Sequence, residues 1–131
     1  MIRVKRIYDP HEPEDGPRYL VDRLWPRGVK KENLLLDGWL KDLAPSDDLR
    51  RWFGHDPAKW EEFRLRYEAE LAGNSQNWHF LLDISRKQDI TLLFSAHDIE
   101  HNNAVALRSY LEKKRDVVSS TVAINRQLID R

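Results

Sequence analysis

The chain has 131 residues, with 22 basic and 22 acidic side chains, a formal net charge of zero and no cysteine. That length suits one compact domain with a single core, and the lack of cysteine excludes disulfides, thiol nucleophiles, iron–sulfur clusters and cysteine-held zinc. The neutral total argues against tight binding to duplex nucleic acid, which draws its affinity from neutralising many phosphates. A local anion site stays open, because residues 1–31 carry eight Lys/Arg against five Asp/Glu while residues 32–49 carry one against five.

Ile2 to Tyr8 alternates apolar with basic side chains, as an edge strand does. The loop after it holds Pro10, Pro13, Gly16 and Pro17 and is too short for a crossover helix. The expectation is therefore that the strands at 2–8 and 18–22 form an antiparallel pair. Leu36, Trp39, Leu40 and Leu43 keep a helical stripe, weakened by Gly38 and ended by Pro45. Ser46 with Asp47 and Asp48 starts a short helix that buries Leu49, Trp52 and Phe53 and stops at Gly54. Pro57 opens the next helix, with Trp60, Phe63, Tyr67 and Leu71 on one face and Gly73 at its end. Trp78, Leu81, Leu82 and Ser85 mark a third helix. Ile90 to Phe94 is apolar throughout, the pattern of a central strand covered on both faces. Asn103, Leu107, Tyr110 and Leu111 mark a last helix, and residues 117–131 read either as a further strand or as a tail that packs on a partner. Together these elements predict a single small α/β domain over residues 1–115, with a short mixed sheet and helices on both faces, followed by a C-terminal tail at 116–131. No apolar run approaches the ~20 residues that cross a bilayer, and the first residues lack the apolar segment of a secretory signal. A cytoplasmic protein without a membrane partner is expected.

Two apolar runs end in polar clusters. Leu20-Val21 leads into Asp22-Arg23-Leu24-Trp25-Pro26-Arg27-Gly28, and Leu93-Phe94 leads into Ser95-Ala96-His97-Asp98-Ile99-Glu100-His101-Asn102-Asn103. If the two strands are parallel neighbours, both clusters open at the carboxyl edge of one sheet, where open α/β folds place ligands. The first cluster, the segment Asp42-Leu43-Ala44-Pro45-Ser46, the segment Trp52-Phe53-Gly54-His55-Asp56-Pro57 and the run Glu100-His101-Asn102-Asn103-Ala104-Val105 follow one another in a fixed order. In this the chain resembles the domain-of-unknown-function 488 family, in its YeaO-like branch. The resemblance covers about residues 2–115 and implies a small α/β domain, but it brings no established activity or cofactor. Where the family pattern has Lys or Arg before the aspartate, this chain has His97.

Arg23 and Arg27 can clamp a phosphate or carboxylate while the Trp25 indole stacks on a ring. The structural alternative is that Asp22 pairs with one arginine and Trp25 packs in the core. His55 sits beside Asp56, a carboxylate able to set its tautomer for acid/base work, although Asp56 also suits the cap of the Pro57 helix. His97 and His101 have the spacing of a two-histidine metal helix, but His97 and Asp98 fall in the loop before the helix, so no metal site is expected. His101 and Asn102, near a helix amino end, suit ligand contacts, and Asp98 suits a cap. The resulting expectation is a pocket for a small anionic molecule, nucleotide or nucleobase-like. Arg23, Trp25, Arg27, His97 and Asn102 would bind it, and His55, Asp22, Asp98 and His101 would move protons. The alternative, from another class, is a noncatalytic module that binds protein or single-stranded nucleic acid, with the tail as a route to self-association. No cofactor is named by these residues.

Overall fold

A computed structural model describes the backbone of residues 1–129 and the side chains of residues 1–116. Its sheet has four strands, β1 (Ile2–Arg6), β2 (Arg18–Leu20), β3 (Gly38–Trp39) and β4 (Ile90–Phe94), in the order β1-β4-β2-β3. Every ladder is parallel: Ile2 lies opposite Ile90, Arg18 opposite Thr91 and Tyr19 opposite Gly38. The single α/β domain, the edge position of the first strand and the interior position of Ile90–Phe94 are as expected. The antiparallel pairing of the first two strands is not, and the sheet is parallel rather than mixed.

The reason lies in the loop between β1 and β2. It folds back along the strand it has just left, through a 3-10 turn at Pro13–Asp15. The Lys5 ammonium donates to the Pro10 carbonyl at 2.7 Å and to both oxygens of Asp15 at 3.1 Å, and the Thr91 hydroxyl donates to the Asp15 carbonyl at 2.7 Å. Gly16 has φ +62°, and a Cβ there would lie 1.9 Å from the Asp89 carbonyl oxygen. The chain thus re-enters the sheet at the end from which β1 began, leaving a slot between β1 and β2 that β4 fills. Burial alone would raise the Asp15 pKa, but the Glu12 amide, Lys5 and Arg18 together hold it below the usual carboxylate value.

Four α-helices follow: α1 (Asp47–Phe53), α2 (Trp60–Ala72), α3 (Ser75–Ser85) and α4 (Asn103–Ile129). All four send buried residues to one face of the sheet, against Ile90, Leu92 and Phe94. The other face is covered without an α-helix: Ile7, Leu20 and Leu93 pack under Trp25, Leu34, Leu36 and Trp39. Helices on both faces therefore reduce to helices on one face and loops with 3-10 turns on the other. The helix expected around residues 36–43 is likewise a short strand and a 3-10 turn. The Asp37 amide donates to Arg18 and the Leu40 amide to Leu20, and Trp39 and Leu40 then serve opposite faces of the sheet. A period-2 segment this short mimics a helical stripe.

Ser46 caps α1 by accepting from the Leu49 amide, and Gly54, in the left-handed region, ends it. α4 runs through Ile129, so the backbone over 117–129 is helical rather than a further strand. Self-association through residues 116–131 depends on side chains that, from 117 onward, lie outside the described residues. Among the described residues no helix is long and apolar enough to cross a membrane.

Candidate functional site

Because the ladders are parallel, the chain leaves β1, β2 and β4 at one edge of the sheet. A cleft of about 640 Å³ opens there, lined by residues from all three exits, from the turn after α1 and from the start of α4. Asp22, Arg23, Trp25, Arg27, His55, His97, His101 and Asn102 all line it. Of the residues singled out in the sequence, Asp98 alone stands outside the lining.

Asp22 lies two residues beyond the end of β2. Its Oδ2 accepts from the Ser95 amide at 2.9 Å and from the Ser95 hydroxyl at 2.8 Å, which ties the end of β2 to the end of β4. Burial raises the Asp22 pKa above the usual carboxylate value, although Ser95, Asn103 and His55 act in the opposite direction. A carboxyl perturbed by burial inside a cleft is a recurrent mark of functional sites.

Arg23 is committed elsewhere. It donates to the carbonyls of Pro45 at 3.2 Å and Ala44 at 3.4 Å and lies 3.7 Å from Asp47, so it anchors the approach to α1. Asp22 has no ion pair with Arg23 or Arg27 among the described residues. Arg27 is exposed and has neither a hydrogen bond nor an ion pair among them. Trp25 donates to the Val29 carbonyl at 2.6 Å and meets Trp39 edge-on at 5.4 Å, so its indole is partly committed to the second core cluster. It reaches the cleft as a wall fixed by packing.

Asp98 and His101 form a unit. Asp98 Oδ1 accepts from the amides of Glu100 and His101, while the His101 Nδ1 donates to Oδ2 at 2.9 Å. These bonds hold the Asp98 pKa below its usual value. An ionised carboxylate only accepts, so a neutral His101 carries its proton on Nδ1 and leaves Nε2 as the basic nitrogen. The ring packs edge-on against Trp60 at 5.3 Å. His97 instead accepts from Arg6 at 3.5 Å, and Arg6 also holds the Ser95 and Ala96 carbonyls. The two imidazoles thus take different partners, and no cluster of three or more metal-binding side chains occurs among the described residues.

Asn102 is buried and caps α4: its Oδ1 accepts from the Val105 amide at 3.0 Å, and its amide donates to the Asp98 carbonyl at 3.0 Å. Its side chain is therefore occupied by the fold rather than free for a ligand. His55 is exposed and holds φ +57°, directly after the left-handed Gly54. A non-glycine residue in this region at a cleft is a strained position that the surrounding structure must enforce.

Ser95, Arg50 and Tyr8 also line the cleft. Ser95 had a signal in the sequence, since it directly follows the apolar run Ile90–Phe94. Arg50 had none: the i, i+3 spacing to Asp47, which it meets at 3.1 Å, reads as an ordinary surface pair.

The model of the family described as the inactive DUF488-N3 subclade matches residues 1–124. The match runs beyond residue 115, where the resemblance read in the sequence ended. The chain is 48% identical over 110 residues to YeaO, an uncharacterized protein of Escherichia coli (strain K12), covering 84% of this chain and 96% of that protein. It is 47% identical over 70 residues to the uncharacterized protein Rv3073c of Mycobacterium tuberculosis (strain ATCC 25618 / H37Rv), covering 53% of this chain and 59% of that protein. No solved structure matches.

Proposed function

Because the chain belongs to the family described as the inactive DUF488-N3 subclade, we propose that its cleft binds a small anionic molecule, nucleotide or nucleobase-like, and holds it without transforming it. The observation that carries this reading is the charge of the lining: three arginines against one carboxylate. Two of the arginines are engaged, Arg23 by carbonyls and Arg50 by Asp47, which leaves the Arg27 guanidinium for a ligand. The amino end of α4, lined here by Asn102 and Asn103, adds positive dipole character to the same space.

The test is thermal stabilisation by inorganic phosphate and by nucleoside monophosphates, for the natural chain and for Arg27→Ala. Loss of a charge-assisted contact lowers affinity by about tenfold or more, whereas stability without ligand stays within about 0.5 kcal/mol, as for an exposed side chain without a partner. Intact anion stabilisation in Arg27→Ala would overturn the reading.

The Asp98–His101 pair favours a second reading, in which the site moves a proton. With Nδ1 fixed, Nε2 is a competent general base for anything bound in the cleft. His101→Gln separates the two readings, because it abolishes turnover in a catalytic site and leaves binding nearly unchanged in a holding site.

A further inference from the structure

The cleft is polar in two different ways along its depth. At the sheet edge lie Asp22, Ser95 and Asn103, each half-buried, and the buried residues Phe53 and Phe63 line the same cleft. At the mouth lie Arg27, Arg50 and His55, all exposed. Both short bonds to Asp22 fall on Oδ2, and the Asn103 amide donates to the Val21 carbonyl at 2.8 Å. Oδ1 has no hydrogen bond among the described residues, although the Asn103 amide lies close enough to lower the Asp22 pKa. A ligand N–H placed against Oδ1 would add a charge-assisted bond that Ser95 does not supply.

We infer that Asp22 is a specificity-determining acceptor for a ring N–H, so that the ligand enters base first and leaves its phosphate at Arg27 at the mouth. This rests on the anion-binding reading above and adds to it an orientation and the chemical class of the inner group. A flat ring is favoured over a polyol because the lining includes Phe53, Phe63, Ala44, Pro45 and Ala96, apolar surface against which a ring can pack. A base that pairs with Asp22 gains a charge-assisted bond, and one that cannot pair forgoes it. Selectivity arises from that asymmetry.

The experiment compares inorganic phosphate, ribose 5-phosphate and the four ribonucleoside 5′-monophosphates by isothermal titration. It uses the natural chain, Asp22→Asn and Arg27→Ala. At least one nucleotide is expected to bind about tenfold or more tighter than ribose 5-phosphate, and Asp22→Asn is expected to erase that gap while leaving phosphate affinity within about twofold. Arg27→Ala should weaken all the phosphates together. Equal binding of ribose 5-phosphate and every nucleotide, or a gap that survives Asp22→Asn, overturns the inference while the anion reading stands. Phosphates bound equally well with and without Arg27 overturn the anion reading itself. Should Asp22→Asn fold poorly, Ser95→Ala removes only the hydroxyl bond to Oδ2 and is expected to alter the nucleotide gap without altering phosphate affinity.

Discussion

Gly16 is pressed so closely to β4 that a side chain there has no room, and its φ of +62° already disfavours one. Gly16→Ala combines a left-handed penalty with a backbone clash, and a loss of more than about 2 kcal/mol is expected. A urea midpoint that falls at constant slope would show it. His55 reverses the sign. It pays for its left-handed φ with strain, so His55→Gly is expected to raise unliganded stability by up to about 1 kcal/mol. If the imidazole serves the mouth of the cleft, the same variant weakens phosphate binding. Asp22 has a folded pKa above its unfolded one. The folded state thus holds its proton more tightly, and the group costs stability as pH rises through the window between the two values. Asp22→Asn should therefore be the more stable chain at neutral pH, with the gap closing in acid. Asp15 behaves oppositely: its folded pKa is lowered, so its contribution is present above the unfolded value and is lost as pH falls through the folded one. Little of this was legible in the sequence. Asp22, Arg27 and His55 could be named as candidates from their place after a strand or a helix, but which residues hold which was not encoded locally. Arg23 and Asn102 looked like ligand residues and are held by the fold, because carbonyl and amide partners far along the chain leave no trace in spacing.

At the scale of elements, α1 depends on one residue for its entry. Ser46 accepts from the Leu49 amide, and both its amide and its hydroxyl donate to Glu70 of α2, at 2.9 and 2.6 Å. Ser46→Ala is expected to cost about 1 kcal/mol, and a double-mutant cycle with Glu70→Gln should show coupling, since the same hydroxyl serves both helices. This helix, its cap and its glycine stop were legible because capping chemistry is local. The stripe at 36–43 was not. A helix and a short strand followed by a turn share those apolar positions, and only pairing with β2 decides between them. The antiparallel expectation for the first two strands failed for a related reason. It took consecutive strands as neighbours, whereas β4 separates them after an excursion of three helices.

For the whole molecule, β4 is the element on which everything converges. It pairs with β1 and β2, and its side chains are buried on both faces, Leu92 under the helices and Leu93 under the tryptophan cluster. Leu92→Ala is expected to cost about 2–5 kcal/mol, and amides of β4 should exchange only through global unfolding. Its central place was legible from five apolar residues in a row, the clearest global signal in the chain. The two faces also divide the tryptophans: Trp25 and Trp39 belong to one cluster, Trp52, Trp60 and Trp78 to the other. Trp60 meets the His101 ring edge-on, and His101 lines the cleft. The cleft accordingly carries its own optical gauge. The difference in emission between the natural chain and Trp60→Phe at one pH isolates the indole packed on His101 without any label, and a change in that difference on adding a nucleotide would report occupancy from inside the pocket.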